Sequence, residues 1–502
     1  MKLSKSTIGD LTSRAEMPDQ SIFKLPEKVL QFGTGVLLRG LPDYYIDKAN
    51  KQGIFNGRIV VVKSTDKGDT NDFDEQNSLY TLCVRGVEDG KMVHKNVINA
   101  SISRVLNAKE EWELILDFAA SSSLDIIISN TTEAGIVFVD ENILSSPPVS
   151  FPGKLTSVLH YRYEMYNGAK DKGLIIIPTE LIPDNGDKLK EIVVKLAESN
   201  HLSQGFLSWI EECNTFCNSL VDRIVPGKPD EETLRMQREE LGYNDNLLIM
   251  SEAYSLWAIE GDENIKSRLT FAEADKGVVI TSDIGLHREL KLRLLNGTHT
   301  LSCAVAFLAG FETVKEAMDD EYMEAFISQL MKSEIAAAIP YQVSTDLSIN
   351  FSNKVLDRFR NPHIKHQWLS IAMNYSAKLK TRVVPLLKRY SELFQKAPQL
   401  MAFGFACYIR LMRAVKIDEH YYGEVKGLKY RINDDKISHV HQLSQDDNEN
   451  IINAILKDEA LWDIDLTALT GFEESVSAFY NAISETSVKE QLNTVAQHKM
   501  KV

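Results

Sequence analysis

Short apolar runs alternate with longer amphipathic stretches through the first half of the chain. Four of these runs lie at 29–32, 58–62, 124–128 and 174–177. Near-continuous apolar runs are typical of parallel strands covered on both faces, and their alternation with helical patterns favours a doubly wound α/β domain. Beyond about residue 285 strand-like runs nearly vanish, and amphipathic stretches of helical period follow. We therefore predict an α/β fold with a doubly wound domain over 1–285 and an all-helical domain over 286–502.

Length, composition and charge narrow the class of protein. A chain of 502 residues exceeds what one core usually serves, so we expect two domains. The formal net charge of −15 offers no positive field for a phosphate polymer, so we expect no nucleic-acid partner. No apolar run approaches roughly 18 residues, and the first residues contain no apolar signal segment. We therefore expect no membrane partner and a cytoplasmic location.

The cysteines do not predict a metal site. There are five, none in a Cys-x-x-Cys pair, and no neighbouring histidine pair completes a zinc-binding set. Reduced structural thiols are the favoured interpretation.

Two glycines directly follow the first predicted strand. Gly33 and Gly35 come after Phe32, and glycines at this place allow a tight turn and a close approach of backbone N–H groups to a pyrophosphate. The three residues are therefore candidates for contact with a dinucleotide. An ordinary turn is the alternative, because Leu38 stands where a third glycine is usual.

The extent of this phosphate loop follows from Pro42. Proline fits only the first turn of a helix, so we expect the helix to begin near Leu41 and the loop to span 33–40. Arg39 then lies at the helix start, as a further candidate for cofactor contact. The domain is predicted to be Rossmann-like.

Other candidates for cofactor contact follow the second and third apolar runs. Asp66 is the nearest carboxylate that could hold the adenosine ribose, whereas Lys63 could instead meet a 2′-phosphate, so both NAD and NADP are compatible with this end. Small polar residues after 124–128 lie where doubly wound folds bind ligands, although a capped turn is the alternative. The candidates there are Asn130, Thr132, Glu133 and Gly135.

An amine, a carboxamide and an imidazole occur together in the segment 291–299. If the segment is helical, its residues turn by about 100° each, and Lys291, Asn296 and His299 fan across roughly 140° of one side. The following apolar residues would form a buried stripe. This arrangement suits a catalytic helix. The alternative is an amphipathic helix with a solvated lysine and a capping asparagine.

A dense basic segment, 358–366, opens one of the later predicted helices. Arg358, Lys365 and His366 could together grip a carboxylate, because arginine offers a bidentate fork. A solvated run of charges is the alternative. The segment therefore predicts a subsite for a carboxylate.

In their order and spacing these motifs resemble the polyol-specific long-chain dehydrogenase/reductase family, which includes mannitol dehydrogenase. The resemblance runs from Val29 to about residue 475. It is carried by Gly33-x-Gly35-x-x-x-Arg39, Thr132-Glu133-x-Gly135, Asn218-Ser219-x-Val221-Asp222-Arg223-Ile224, Lys291-x-x-x-x-Asn296-Gly297-x-His299 and Arg358-Phe-x-Asn361-Pro362. The branch that acts on tagaturonate is most similar, through the segments 31–33, 129–136, 184–187 and 360–367.

The resemblance implies an oxidoreductase that uses NAD, without a metal, to reduce the ketone of tagaturonate reversibly to altronate in hexuronate and galacturonate catabolism. It implies that Lys291 is the general acid/base and that Asn296 and His299 bind and orient the substrate. Leu181 is a departure, because mannitol-type members carry an asparagine there that polarises the substrate oxygen. A fructuronate reductase, a mannitol dehydrogenase and, from another class, a non-catalytic dinucleotide sensor are the alternatives. Both a monomer and a homo-oligomer are compatible with the sequence.

Overall fold

The chain forms two compact units in a computed structural model. The first comprises Met1–Arg85 and Met92–Ile284, and the second comprises Gly86–Lys91 and Gly285–Val502. The structure describes all residues except 12, 66–69, 132–134, 426, 447–449 and 501–502, and it leaves undescribed the side chains of 446 and 498–500. The predicted cofactor contacts Asp66, Thr132 and Glu133 lie outside the described residues.

Twelve strands begin in the first unit or pass through it, within the part of the chain that the structure describes. They are β1 Glu27–Phe32, β2 Arg58–Lys63, β3 Tyr80–Glu88, β4 Lys91–Asn99, β5 Ile102–Asn107, β6 Ile126–Ser129, β7 Ile175–Pro178, β8 Thr215–Phe216, β9 Ser219–Asp222, β10 Ile249–Glu252, β11 Leu256–Glu260 and β12 Val278–Thr281.

A six-stranded parallel sheet forms the centre of this unit. Its strand order is β5-β2-β1-β6-β7-β8, and all its neighbouring strands run parallel. Counted within this sheet alone, the order is 3-2-1-4-5-6, which is that of a dinucleotide-binding doubly wound fold. The order reverses between β1 and β6, and ligands of such folds bind at the carboxyl ends of the strands beside this point. The predicted doubly wound domain is confirmed.

Apolar side chains cover both faces of the sheet because successive residues of a strand point to opposite sides. In β6, Ile126 and Ile128 join one buried cluster while Ile127 joins another. The helices of the unit are Val36–Gly40, Pro42–Lys51, Asn71–Glu75, Trp112–Ala119, Phe151–Met165, Asn185–Ser199, Gln204–Cys213, Glu231–Leu241 and Glu263–Arg268. Two three-stranded sheets, β10-β3-β4 and β12-β11-β9, complete it.

The helix predicted to begin near Leu41 is confirmed as Pro42–Lys51, but the predicted loop over 33–40 is wrong. A short helix, Val36–Gly40, begins directly after Gly35, which has the extended conformation of a helix N-cap. The chain then bends at Leu41, with φ −133° and ψ −80°, and Pro42 opens a second helix. Proline is tolerated in that first turn because it has no N–H to leave unpaired. The loop is therefore confined to 33–35.

The second unit is mainly helical. Its α-helices are Gly285–Leu290, Thr298–Ala309, Val314–Met318, Glu321–Gln329, Thr345–Phe359, Trp368–Ile371, Tyr375–Arg382, Val384–Phe394, Gln399–Met412, Ile437–Asp446, Ile451–Lys457, Glu459–Trp462, Phe472–Glu485 and Val488–Met500. The helices Thr298–Ala309 and Gln399–Met412 approach closely at Gly404, where an added Cβ would lie 3.0 Å from the Leu301 carbonyl oxygen.

One part of this unit departs from the all-helical prediction. Strands β13 Val415–Ile417, β14 His420–Val425 and β15 Leu428–Arg431 form an antiparallel sheet. The turn between β13 and β14 contains Asp418 at positive φ, and the one between β14 and β15 contains Gly427 at positive φ. These turn residues separate segments rich in β-branched and aromatic residues, which favour strands. Across the described residues, no helix combines the length and apolar character that crossing a bilayer requires.

Candidate functional site

The glycine turn after β1 is shaped by two different requirements. Gly33 has φ +126°, and a Cβ there would lie 3.0 Å from both the Asn130 carbonyl oxygen and the Leu38 side chain. Gly35 has no such crowding, because a Cβ there would meet no atom within 4 Å. Gly33 thus fits the turn through its conformation, whereas Gly35 leaves open space at the edge where the sheet binds ligands.

Phe32 and Arg39 point into the interior of the first unit. Phe32 is buried, and its ring centroid lies 5.2 Å from that of Phe151. Arg39 is also buried, and its Nη1 donates to the Leu247 carbonyl oxygen at 2.8 Å. Burial lowers the pKa of the Arg39 guanidinium. Contact of either side chain with the cofactor stays a prediction.

A buried carboxylate, Glu180, holds the chain after β6, beside the point where the strand order reverses. Its Oε1 accepts the backbone N–H of Thr131 at 2.8 Å, and its Oε2 accepts the Ser129 hydroxyl at 3.1 Å. Beside it, Asn130 Nδ2 donates to the Thr179 carbonyl oxygen at 2.9 Å. Glu180 therefore fixes the loop that follows β6. The sequence showed this residue only as part of a polar turn after β7.

Two further predicted residues have clear local environments. At Gly135 an added Cβ would lie 2.1 Å from Thr131 Oγ1, so a larger residue would displace the loop. Lys63 is buried, and its Nζ donates to the Thr65 carbonyl oxygen. Lys63 therefore already has a hydrogen-bond partner within the chain, apart from any 2′-phosphate.

The family motif residues Asn218 and Arg223 are structural in this unit. Asn218 Oδ1 accepts the N–H groups of Gly186 and Asp187, at 3.0 and 3.2 Å, and so caps the helix Asn185–Ser199. Arg223 donates from Nε and Nη2 to the Glu252 carbonyl oxygen at 3.1 and 3.0 Å. Neither pattern identifies a reacting group.

In the second unit, the segment Lys291–Gly297 is a π-helix, between the α-helices Gly285–Leu290 and Thr298–Ala309. A π-helix hydrogen-bonds residue i to i+5. Lys291 and Asn296 are five apart, so they stand about one turn apart on the same face. The predicted fan at 100° per residue is therefore wrong for this pair, and the two groups are better aligned than an α-helix would make them. Short π-helical turns are frequent at functional sites.

The polar side chains of this π-helix differ in their burial and in their hydrogen bonds. Lys291 and Asn296 are half-buried. The side-chain amide of Asn296 makes no hydrogen bond within the described chain, while its carbonyl oxygen accepts the Thr300 hydroxyl at 2.7 Å. Arg293, by contrast, is buried and pairs with Glu289 at 2.9 Å. The amide of Asn296 is thus available to a ligand.

His299 lies in an aromatic enclosure. Its ring stacks on Phe359, with centroids 4.1 Å apart and planes 10° apart, and it meets the edges of His366 at 5.2 Å and Trp368 at 6.1 Å. Among the described residues no group hydrogen-bonds its buried Nε2. Burial, and then the nearby cations, hold the pKa of His299 well below its ordinary value. The imidazole is therefore neutral at physiological pH.

Four basic side chains interact electrostatically with His299, and we term them the basic cluster. They are His366, Arg358, Arg382 and Lys378, each of which lowers the pKa of His299. Burial is also the largest cause that lowers the pKa values of His366, Lys378 and Arg382. The lowered pKa leaves His366 neutral at physiological pH, so Arg358, Arg382 and Lys378 supply the positive charge. Cations held together in a partly desolvated place attract an anionic group strongly.

The sequence predicted half of this cluster. Arg358 and His366 belong to it, whereas the third predicted residue, Lys365, is exposed. Lys378 and Arg382, which the prediction missed, stand four residues apart on the helix Tyr375–Arg382. Their i, i+4 spacing was a signal for a shared helix face. Arg382 Nη1 donates to Thr300 Oγ1 at 3.1 Å.

Leu181 follows β7, and its side chain is 60% exposed. It offers no hydrogen bond to a ligand. Among the residues that the structure describes, no group of three or more His, Cys, Asp or Glu side chains is placed to hold a metal ion.

Two family models match successive parts of the chain. The mannitol dehydrogenase Rossmann domain matches residues 27–273, and the mannitol dehydrogenase C-terminal domain matches residues 283–484. Among solved structures, Pseudomonas fluorescens mannitol 2-dehydrogenase in a ternary complex with NAD and D-mannitol has a TM-score of 0.68 at 22% identity, covering 99% of this chain and all of that one. A substrate-free D-sorbitol dehydrogenase has a TM-score of 0.80 at 21% identity, covering 97% and 99%. These two structures share the fold.

Curated relatives match over nearly the whole length. Altronate oxidoreductase of Bacillus subtilis (strain 168) is 39% identical over 93% of this chain and 95% of its own. The altronate oxidoreductase of Halalkalibacterium halodurans is 37% identical over 98% of both chains, and that of Escherichia coli O7:K1 is 36% identical over 93% and 96%. From its two matched domains and these relatives, the chain belongs to the mannitol dehydrogenase family.

Proposed function

We propose that the chain is an altronate oxidoreductase that reduces the ketone of D-tagaturonate to D-altronate with NADH, in a reversible reaction. It is an oxidoreductase of CH–OH groups, as its family and its curated relatives indicate. The observation that carries the choice of substrate is the basic cluster around His299, in the same unit as Lys291 and Asn296. A sugar acid carries a carboxylate for such a cluster, whereas a polyol does not.

The glycine turn and the loop after β6 fit a dinucleotide. A side chain at Gly33 would crowd the Asn130 carbonyl oxygen, and the space at Gly35 is open. Backbone groups at 33–35 would approach the pyrophosphate, while Asn130, held by Thr179, would border the nicotinamide end. Bound NADH supplies the two electrons and one hydrogen that reduce the carbonyl carbon. We further propose that the chain prefers NAD to NADP.

Lys291 and Asn296 act on the carbonyl oxygen of the substrate. Negative charge builds on this oxygen as the carbon is reduced, and the ammonium of Lys291 gives it a proton. The side-chain amide of Asn296, aligned with Lys291 by the π-helix, donates a hydrogen bond to the same oxygen. In the oxidative direction Lys291 removes the hydroxyl proton. Asn296 takes the polarising role that an exposed Leu181 cannot supply.

The basic cluster binds the carboxylate and His299 orients the sugar. Arg382 uses one of its donors on Thr300, and Lys378 donates to the Ile371 carbonyl oxygen at 2.9 Å. Both ions retain donors for an anion. His299 is neutral, so it can accept a hydrogen bond from a sugar hydroxyl through one ring nitrogen and donate through the other. The substrate is thereby held with its ketone toward Lys291.

A substrate panel tests this function. We expect the highest kcat/KM for NADH oxidation with tagaturonate, and a value about 10- to 150-fold lower with fructose, because a lost charge-assisted contact costs about 1.5–3 kcal/mol. Fructuronate, tested alongside, separates the two hexuronates, and NADPH separates the cofactors. Equal kcat/KM for fructose and tagaturonate would reject an acid substrate. Equal rates with fructuronate would still support a sugar-acid substrate but would reject the assignment to tagaturonate.

A further inference from the structure

Two buried oxygen atoms under the glycine turn lack hydrogen-bond partners among the described residues. They are Gln31 Oε1 and Asp43 Oδ1, and both side chains are 0% exposed. Gln31 lies in β1, two residues before Gly33, and Asp43 lies in the first turn of the helix Pro42–Lys51. A buried acceptor without a donor carries a large desolvation penalty. The two side chains that carry these oxygens already share a hydrogen bond, so we infer a proton between them.

The existing contacts show where that hydrogen belongs. Gln31 Nε2 donates to Asp43 Oδ2 at 3.3 Å and to the Gly33 carbonyl oxygen at 3.4 Å. An ionised carboxylate can only accept, so it could not engage Gln31 Oε1. A protonated carboxyl can donate from Oδ1 to Oε1 while it still accepts at Oδ2. One proton therefore satisfies both atoms, and the two side chains form a reciprocal acid–amide pair.

The charges around Asp43 allow this protonated state. Burial is the largest effect and raises the pKa of Asp43 to about 8; the nearby Asp47 also raises it, whereas Arg39 and Gln31 lower it. The Tyr80 phenol, the other titratable group nearby, stays neutral because burial raises its pKa. Arg39 donates from Nη1 to the Leu247 carbonyl oxygen rather than to Asp43.

Asp47, one helical turn later on the same helix, makes a matched contrast. It is equally buried, but Lys51 Nζ lies 2.8 Å from its Oδ2, and the backbone N–H of Ala100 donates to its Oδ1 at 2.8 Å. Burial raises the pKa of Asp47 as well, but a cation and a backbone donor act against that rise and favour its charged form. Within the described chain, Asp43 has no lysine partner and no backbone donor.

We propose that Asp43 is a protonated positioning residue whose reciprocal pair with Gln31 holds the Gly33 carbonyl, and with it the glycine turn, in the form that receives the dinucleotide. The effect on the dinucleotide rests on the proposed function, whereas the protonated pair does not. Loss of the proton at alkaline pH removes the donor to Gln31 Oε1, and the resulting carboxylate draws Gln31 Nε2 away from the Gly33 carbonyl oxygen. Asp43 touches neither substrate nor cofactor and acts through the turn.

Infrared difference spectroscopy tests the pair directly. Wild type at neutral pH should show the carbonyl stretch of a protonated carboxylic acid, and this band should fade as the pH is raised through about 8. The band should be absent from Asp43→Asn and retained in Asp47→Asn. A wild-type protein without a band that titrates near pH 8 would overturn the proposal, whether or not the variants fold. A band that Asp43→Asn retains would overturn it as well.

NADH binding without substrate tests the positioning role. If binding needs the protonated pair, the apparent Kd of wild type rises up to about tenfold between pH 7 and pH 9, in inverse proportion to the protonated fraction. Asp43→Asn keeps a neutral donor and acceptor at every pH, so its Kd should stay low and lack this rise. An identical pH dependence in both proteins would overturn the positioning role. Failure of NADH to bind either protein at any pH would instead reject the proposed function and leave the infrared result standing.

Discussion

The arginines of the two units are used in different ways. In the first unit, Arg223 donates to the carbonyl oxygens of Gly40 and Glu252. Arg162 donates to those of Lys172, Ala119, Ser121 and Leu124. In the second unit, Arg382 makes one hydrogen bond to a hydroxyl within the described chain, and burial lowers its pKa.

We interpret this difference as one between structural cations and cations proposed to bind the substrate. A guanidinium whose donors are spent on backbone carbonyls satisfies buried acceptors and has little left for a ligand. A guanidinium with spare donors beside other cations costs free energy until an anion arrives. Arg162 and Arg382 both lie in helices, so sequence alone does not distinguish the two kinds.

The largest effect should come from the one amine on the π-helix. Replacing Lys291 with alanine should lower kcat about 10²- to 10⁴-fold, because a positioned general acid contributes that much. The Kd of NADH should be nearly unchanged. Steady-state kinetics and NADH titration measure the two. Lys388→Ala, at an exposed lysine of the same unit, is the control. Substantial turnover in Lys291→Ala would remove this lysine from the chemistry.

A structural arginine should lower stability without changing specificity. Replacing Arg223 with methionine should lower the free energy of unfolding by about 3 kcal/mol, since it strands buried carbonyl oxygens. The ratio of kcat/KM for tagaturonate over fructose should persist in the folded fraction. Denaturant unfolding gives the first quantity. The exposed pair of Arg235 with Glu239 supplies the control, where Arg235→Met should cost less than about 1 kcal/mol. A changed specificity in Arg223→Met would erase the distinction between the two kinds of arginine.

An arginine proposed to bind the substrate should behave in the opposite way. Replacing Arg382 with methionine should lower kcat/KM for tagaturonate about 100-fold, and that for fructose far less, because only the acid loses a charge-assisted contact. Stability should change little. Lys380 on the same helix pairs with Asp463 at 2.7 Å, so Lys380→Met is the matched control. Equal losses for acid and neutral sugar would assign Arg382 to structure.

The smallest expected effect concerns pH. The pKa of His299 is lowered in the folded chain, so the unfolded state binds more protons once the pH falls below about 6.5. The stabilising contribution of neutral His299 is present above that pH and is lost as the pH falls further, by at most about 1.4 kcal/mol per pH unit. Unfolding of wild type and His299→Gln between pH 7 and 5 measures the difference. Parallel curves would show that His299 titrates normally.

The fold was predictable in the segments whose secondary structure is determined by burial. The apolar runs at β1, β2, β6 and β7 are buried on both faces, and that constraint leaves a direct trace in the sequence. The short sheet β13–β14–β15 was missed because its exposed strands lack this trace. Gly33 was predictable because its conformation requires glycine.

The site was predictable only in part. The residues proposed to react, Lys291, Asn296 and His299, belong to one local motif, so the sequence could single them out. The π-winding that aligns two of them depends on hydrogen bonds that residue spacing does not reveal. Lys378 and Arg382 reach His299 from another helix, through tertiary packing. Glu180 likewise acts across two strands.

Oxidation of altronate tests the central claim most directly, because the substrate carries both the reacting hydroxyl and the carboxylate. Wild-type enzyme with NAD should form NADH with altronate at a kcat/KM about 10- to 150-fold above that with mannitol, because mannitol lacks the charge-assisted contact, which contributes about 1.5–3 kcal/mol. An equal or higher kcat/KM with mannitol would contradict the account. It would mean that the basic cluster does not select a sugar acid.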